Sequence, residues 1–173
     1  GGVQRAMDKI KALCEDPNGG CVFWSAGAKP PELLMSGEVV MATGWNGRFF
    51  NAIMDGAPLT QVWDGQGLDY QYMVVVDGGP NQADAMKAIK EMMSTEGLAG
   101  SAKHIAYSPF RISSLDIIAD NEPWYKDGKT NMLPQMPTAK ANTKKYFLVD
   151  AVYWADNGTE LGEMWTAMTA GLK

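Results

Sequence analysis

Short runs of consecutive apolar residues alternate, along the first half of the chain, with segments whose apolar residues recur at helical spacing. The clearest run is Val39-Val40-Met41-Ala42, which a glycine-containing turn connects to an amphipathic pattern over residues 47–54. A strand buried on both faces is apolar throughout, and parallel strands need a crossover that is usually a helix. The alternation therefore predicts an α/β chain with a mainly parallel sheet.

Hydrophobic periodicity also predicts the remaining elements. Besides residues 38–42, strands are expected at residues 21–24, 59–63 and 68–76, the last being the strongest. Besides residues 47–54, helices are expected at residues 3–13, 30–35, 81–93, 95–104 and 158–168. Residues 120–145 are rich in Pro, Asn, Lys and Thr and are expected to be irregular. The resulting sheet is thin for 173 residues.

The composition disfavours several classes of protein. The chain has 15 Lys and Arg against 20 Asp and Glu, and its net charge of −5 argues against binding to nucleic acid or anionic lipid. No apolar run approaches the ~20 residues needed to cross a bilayer. A zinc site is disfavoured because the cysteines lack Cys-x2-Cys spacing and His104 is the single histidine. No motif indicates a cofactor.

Cys14 and Cys21 flank a segment of turn-forming residues, Glu-Asp-Pro-Asn-Gly-Gly. Such a turn can bring the two sulfurs together, and in an oxidising compartment a disulfide here would contribute roughly 2 to 3 kcal/mol through loop entropy. The alternative is a pair of free thiols in a reducing compartment. The sequence leaves both states open.

The turn at residues 43–48 is the main candidate for a functional site. In open α/β sheets, ligands bind beyond the carboxyl ends of strands and next to helix N-termini, and this turn joins a strand to a helix. Trp45 offers an aromatic face, while Arg48 lies in the first helical turn, where the helix dipole disfavours a cation. A cation there indicates an anionic partner such as a ligand carboxylate. The alternative is that Trp45 fills the core and Arg48 is solvated or pairs with a surface acid.

A second candidate patch lies at the start of the strand predicted at residues 68–76. Tyr70 and Tyr72 present faces that can stack on alkyl or cationic groups, and Asp69 or Gln71 can hold an amine or amide. The alternative is the ordinary alternation of an edge strand. Tyr107, just before Ser108-Pro109, is a third candidate, although its position taken alone favours packing.

Residues 24–48 read Trp-Ser-Ala-Gly-Ala-Lys-Pro-Pro-Glu-Leu-Leu-Met-Ser-Gly-Glu-Val-Val-Met-Ala-Thr-Gly-Trp-Asn-Gly-Arg. This segment resembles the second half of extracellular solute-binding proteins of the spermidine/putrescine type, which serve ABC importers. Further matches are Leu-Asp-Tyr at 68–70, the helix after Pro80-Asn81, Ile-Ala-Tyr-Ser-Pro at 105–109 and Trp-Ala-Asp-Asn at 154–157. The resemblance keeps its order over nearly the whole chain.

The resemblance implies a type II periplasmic-binding-protein fold, in which two three-layer αβα lobes are joined by hinge strands and close on the ligand like a clamp. By resemblance, residues 1–66 are part of the second lobe, and residues 67–115 contain a hinge strand and the return to the first lobe. Residues 116–173 are an irregular segment and a C-terminal helix. The front half of the family pattern is missing, which would explain the thin sheet. The implied location is the periplasm, and the implied partners are a small solute and a membrane permease.

The resemblance also implies ligand contacts. Trp45 matches an aromatic residue that stacks on the ligand chain, and Tyr70 and Tyr107 match further aromatic walls. Ser25 lies where family members approach the ligand from a loop. These four positions are therefore expected at the ligand.

Two departures from the polyamine-binding pattern, and one from relatives that share the Trp-Asn-Gly-Arg pattern, change the expected ligand. Arg48 stands where polyamine binders have a carboxylate, and Tyr72 stands where they have a hinge aspartate. Relatives with the Trp-Asn-Gly-Arg pattern often have aspartate in place of Gln71. A ligand with an anionic end is therefore favoured over a bare diamine, with Asp69 available for an amine.

The expected function is thus capture of a small amino-acid-like or polyamine-like solute by lobe closure, with polyamine binding proper as one alternative. An enzyme using Cys14 or Cys21 with His104 is disfavoured, because these residues lie in unrelated contexts and no nucleophile motif appears. A fragment that dimerises through an unfilled sheet edge and binds no solute is the other alternative.

Overall fold

The computed structural model describes residues 1–121 and 123–172, and gives only the backbone for residues 119–121. Part of the stretch predicted to be irregular, at Glu122, therefore lies outside the described residues. The helices are α1 (Gly2–Cys14), α2 (Lys29–Met35), α3 (Asn46–Met54), α4 (Gln82–Met92), α5 (Thr95–Ala102), α6 (Ile112–Asn121) and α7 (Ala151–Ala170). The strands are β1 (Gln66–Leu68) and β2 (Tyr146–Leu148), and a single 3-10 turn covers Leu133–Gln135.

The chain divides into two compact units, the smaller of which combines Gly1–Ala26 with the residues from Asp150 onward. In this unit, α1 packs against α7. Cys14 at the end of α1 forms a disulfide with Cys21. Two residues after Cys21, the Phe23 ring contacts the Trp165 ring edge to face, with 5.4 Å between the ring centroids. Within this unit, the disulfide therefore ties the segment that follows α1 back to the end of that helix. The same segment carries Phe23, which packs on α7.

The larger unit, Gly27–Val149, contains the main hydrophobic core. Phe50 of α3 is 1% exposed and meets the Trp124 ring edge to face at a centroid distance of 5.5 Å. The other buried members are Ala99, Ala102, Ala106, Ile118, Met132, Met136 and Ala139. Small alanines on α5 let α6 pack closely against it, since these two helices make the most extensive contact between elements.

The two strands of the larger unit pair in parallel, with Gln66 opposite Tyr146 and Leu68 opposite Leu148. A side-chain amide extends this pairing: Nε2 of Gln66 donates to the carbonyls of Pro137 and Asn142, at 2.9 and 2.7 Å. Asn142 is itself buried and donates to the carbonyls of Pro134 and Met136. These amides hold the segment before β2 against β1.

The strands predicted at residues 21–24, 38–42, 59–63 and 68–76 are wrong, except for Leu68, which belongs to β1. In the described part of the chain, β1 and β2 are the only strands that form a ladder. A strand needs a hydrogen-bonded neighbour, and these apolar segments have none among the described residues. Several of their side chains are open to solvent, with Val40 94% and Val74 80% exposed, and others are half-buried.

The helix predictions agree better with the structure: six of the seven helices among the described residues are predicted, with errors at their ends. α6 was missing from the predictions, and α7 begins seven residues before the predicted position 158, at Ala151. The start of α7 is fixed by Asp150, whose carboxylate accepts from the backbone N–H groups of Val152 and Tyr153. No helix in residues 1–121 or 123–172 has both the length and the hydropathy needed to cross a membrane.

The irregular segment after position 122 is held by local polar contacts. Asp127 accepts hydrogen bonds from the backbone N–H groups of Lys129 and Thr130 and from the Thr130 hydroxyl. The hydrogen bond from that hydroxyl, followed by those from the backbone, lowers the pKa of the Asp127 carboxyl below its ordinary value. The Pro-rich and Asn-rich composition therefore indicates turns that contribute Met132, Met136 and Ala139 to the core.

Candidate functional site

The turn at residues 43–48 leads into α3, and the core determines which way its side chains face. Phe50 and Gly47 are the buried residues of α3, so Arg48 on the same helix is exposed. Trp45 is the N-cap residue, with extended backbone at φ −79° and ψ 125°, and is 55% exposed. The turn therefore presents an aromatic ring and a guanidinium at the N-terminal end of a helix anchored by Phe50.

Two glycines allow aromatic rings to lie directly on the backbone beside this turn. A Cβ atom on Gly27 would come 2.2 Å from Cζ3 of Trp45, and one on Gly47 would come 2.8 Å from Cζ of Tyr107. Both distances are far shorter than any real Cβ contact, so a side chain at either position displaces the ring. The structure thus brings Tyr107 against the start of α3, beside Trp45 and Arg48.

Asn46 connects the same two segments through its side chain. Its amide Nδ2 donates to the Ala106 carbonyl and makes a longer contact of 3.5 Å with the Gln135 carbonyl. Ala106 immediately precedes Tyr107, so the hydrogen bond and the ring contact join the two segments at neighbouring positions.

Arg48 has no ion pair with any residue that the structure describes. Its backbone N–H donates to the Trp45 carbonyl at 2.9 Å, which closes the first turn of α3. The N-terminus of a helix carries a partial positive charge, so an unpaired guanidinium there adds to a field that attracts anions.

The second candidate patch lines a separate cavity of about 240 Å³. Its walls are Tyr70, Gln71, Tyr72, Met73, Ile89, Met93 and Phe110. Tyr70 and Tyr72 are mostly exposed, and Phe110 follows Tyr107 by three positions in the chain. The cavity is lined mainly by aromatic and thioether side chains, which suit the alkyl part of a small ligand.

The structure therefore brings some of the predicted site residues together and leaves others apart. Tyr107 contacts the turn that carries Trp45 and Arg48, and Tyr70 and Gln71 share the second cavity. Asp69 is exposed and does not line that cavity, and Ser25 is exposed in the smaller unit. Across the described residues, no group of three His, Cys, Asp or Glu side chains is arranged to hold a metal ion.

Several residues at the site were not among the predicted ones. Asn46 lies in the turn that the sequence singles out, but its contact with a carbonyl 60 positions away leaves no local signal. Gly27 and Phe110 are likewise defined by spatial neighbours. A glycine in sequence indicates freedom at the backbone, and only the fold shows that an aromatic ring occupies the space.

Comparison with known families identifies the chain. The family model of the bacterial extracellular solute-binding protein matches residues 1–138. This chain belongs to that family. The interpretation as a binding protein and not an enzyme is thereby confirmed, because the family and its relatives are solute-binding proteins.

Among curated proteins, the chain is similar to the gamma-aminobutyric acid-binding protein of Pseudomonas aeruginosa. The two are 36% identical over 169 residues, which are 98% of this chain and 44% of that protein.

Solved structures resemble the chain at lower identity. An ABC transporter substrate-binding protein from Bradyrhizobium japonicum USDA 110 superposes with a TM-score of 0.76 at 24% identity, over 96% of this chain and 48% of that one. The structure described as the Atu4243-GABA receptor superposes with a TM-score of 0.70 at 24% identity, over 98% of this chain and 48% of that one. The prediction of an α/β chain with part of a periplasmic-binding-protein fold is confirmed, and the chain spans about half the length of these relatives.

Proposed function

We propose that this chain is the part of an ABC importer's substrate-binding component that carries the anion-binding side of the ligand site. We propose further that its ligand is a small zwitterion of the γ-aminobutyric acid type. The observation that carries the proposal is Arg48: an exposed guanidinium, unpaired among the described residues, beside the exposed ring of Trp45 at the N-terminus of α3.

The chemistry of this corner suits a carboxylate. A guanidinium can donate two parallel hydrogen bonds to a carboxylate, and the dipole of α3 adds to the attraction. The rings of Trp45 and Tyr107 would flank the short alkyl chain of such a ligand, and Asp69 would pair with its ammonium group when the lobes close. A bare diamine would place a second cation next to Arg48, which is unfavourable. The 36% identical relative is a gamma-aminobutyric acid-binding protein, which supports this ligand class.

The proposal includes the two-lobe arrangement. Residues 1–66 would belong to the second lobe, 67–115 to a hinge and the first lobe, and 116–173 to the connecting segment and final helix. Closure of the lobes would bring Tyr70, Gln71 and Ser25 to the ligand that Arg48 holds. The complete protein would act in the periplasm and deliver its solute to a membrane permease. Spermidine/putrescine-type binding is the competing assignment, and the ligand panel below separates the two.

The test is isothermal titration of the complete two-lobe protein that carries this chain. The ligands are γ-aminobutyric acid, butyrate without the amine, propylamine without the carboxylate, and putrescine. We expect γ-aminobutyric acid to bind most tightly. Arg48→Ala should weaken it at least tenfold, since a hydrogen bond to a charged group contributes roughly 1.5 to 3 kcal/mol. Arg48→Lys should have an intermediate affinity, because lysine keeps the positive charge but cannot donate two parallel hydrogen bonds to a carboxylate.

Arg5→Ala is the matched control, since it removes an exposed arginine from α1. It should leave every affinity unchanged. Putrescine binding that exceeds γ-aminobutyric acid binding and persists in Arg48→Ala would overturn the proposed ligand class.

A further inference from the structure

Asn46 occupies a helix start, yet its side chain does not cap the helix. Asparagine near a helix N-terminus ordinarily accepts a hydrogen bond from the backbone N–H groups of its own first turn. Asn46 is the first residue of α3, the N-cap is Trp45, and no side-chain cap is formed. The half-buried amide of Asn46 donates instead to the Ala106 carbonyl, 60 positions away.

Each of the two residues joined by this hydrogen bond is next in the chain to a residue with an exposed aromatic ring. Trp45 precedes Asn46, and Tyr107 follows Ala106. Gly47, on the other side of Asn46, receives the Tyr107 ring. One side-chain amide and one ring contact thus interlock consecutive residues of two segments, and we call this pair of contacts the Asn46 clasp.

A third segment joins the clasp at the Gln135 carbonyl, 3.5 Å from the same amide nitrogen. Gln135 precedes Met136, which is fully buried in the core. The amide of Asn46 therefore faces two backbone carbonyls, one of them next to a core residue. Because both carbonyl oxygens are hydrogen-bond acceptors, the side chain at position 46 must be a donor. A side chain of the same size without a donor would leave both carbonyls without a partner at this position.

We propose that Asn46 is a positioning residue, which holds Trp45, Arg48 and Tyr107 in one fixed arrangement before ligand arrives. The role at the ligand rests on the proposed function. Rings and a guanidinium that are already in place lose less conformational entropy on binding, so the clasp raises affinity without touching the ligand.

Asn46→Asp in the complete protein tests the proposal. The change preserves side-chain size but turns the donor into an acceptor against two carbonyls. It also adds a negative charge to the first turn of α3, where the dipole favours it. Loss of affinity therefore cannot arise from a weaker helix. The control is Asn51→Asp on the same helix, which makes the same charge change at an exposed position nearer the C-terminal end, where the dipole disfavours it.

Two measurements are made on each variant: affinity for γ-aminobutyric acid, and amide hydrogen exchange in residues 104–109 without ligand. Asn46→Asp should weaken binding at least about tenfold and speed exchange in that segment. Asn51→Asp places a carboxylate three positions after Arg48, where it can pair with the guanidinium and also weaken binding, but it should change exchange in residues 104–109 by no more than about twofold. Exchange is therefore the measurement that separates the clasp from the added charge. If Asn46→Asp does not fold, Asn46→Ser, which keeps a shorter donor, should show the same effects at smaller size.

The outcomes separate the clasp from the proposed function. If the wild-type protein does not bind γ-aminobutyric acid, the proposed ligand fails, and the clasp is judged by exchange alone. Equal exchange in the Asn46 and Asn51 variants, or an Asn46→Asp affinity equal to that of the wild type where the wild type binds, overturns the clasp.

Discussion

At the scale of single residues, the site depends on positions where a side chain is missing. Gly27 and Gly47 let the rings of Trp45 and Tyr107 lie against the backbone. The sequence predicts Trp45 and Arg48 as site residues from residue type and from the turn that leads into a helix, and Tyr107 from the family resemblance. It did not identify their supports, because a contact between Gly47 and Tyr107 depends on how distant segments pack.

Gly27→Ala is expected to reduce ligand affinity with little loss of stability. The added methyl group would lie 2.2 Å from Cζ3 of Trp45. That ring is more than half exposed, so it can swing away while the core stays intact. We expect at least a fivefold loss of affinity, roughly 1 kcal/mol, and a melting temperature within about 3 °C of wild type. Titration and thermal unfolding of the complete protein measure the two quantities.

Gly100→Ala is the matched control for that experiment. Gly100 lies within α5, and, apart from its chain neighbours and the nearby backbone of α5 itself, no heavy atom of the described residues lies within 4 Å of the position its Cβ would take. Alanine should therefore stabilise the helix by roughly 0.5 to 1 kcal/mol and leave affinity unchanged. A Gly27 variant that binds like the Gly100 variant would show that Trp45 does not touch the ligand.

At the scale of elements, helices were predicted well and strands poorly, for a physical reason. The pattern of a helix such as α3 is local, because its hydrogen bonds close within four residues. A strand such as the one predicted at residues 38–42 needs a partner that its own sequence does not contain. Even β1 pairs with a strand that lies about 80 positions away. The Cys14–Cys21 disulfide was only partly predictable. The turn between the two cysteines makes the pairing feasible, but the sequence also allows free thiols.

Removing the disulfide is expected to destabilise the smaller unit. Replacing both Cys14 and Cys21 by Ser frees the chain between α1 and Phe23, and for a loop this short the entropy lost from the unfolded state corresponds to about 2.5 kcal/mol. Urea unfolding followed by tryptophan fluorescence measures the change. Since the chain has only these 2 cysteines, wild type in reductant should match the double variant. Unfolding midpoints that are identical with and without reductant would contradict the prediction.

At the scale of the whole molecule, two apolar segments are exposed to solvent. Residues 38–42 and 72–76 have the composition of buried strands, yet Val40, Met41, Val74 and Val76 are exposed. The chain spans 44% to 48% of its relatives' lengths, so we infer that strands of the complete protein cover these segments. The resemblance leads to the same expectation, since a missing front half would explain the thin sheet predicted from the sequence. The dimerising fragment remains an alternative prediction, which sizing by light scattering tests directly.

Val40→Ser should distinguish the isolated chain from the complete protein. At 94% exposure the substitution should change the free energy of unfolding of the 173-residue chain by less than about 0.5 kcal/mol. In the complete protein the same side chain would be buried, and the loss should be roughly 1 to 3 kcal/mol. Lys140→Ser, at another exposed position, should cost little in both. Equal effects of Val40→Ser in the two proteins would show that no strand covers this segment.

The pairing of β1 with β2 has a consequence for how the chain acquires its structure. Gln66 and Tyr146 can meet only after the intervening segment, which includes α4, α5 and α6, has become compact, since an open loop of that length makes their encounter rare. Parallel pairing between such distant positions is a late and slow event in folding. Refolding from urea should therefore show a helical signal that appears before the two strands dock. During synthesis, β1 must wait until the residues up to Leu148 have left the ribosome before its partner exists.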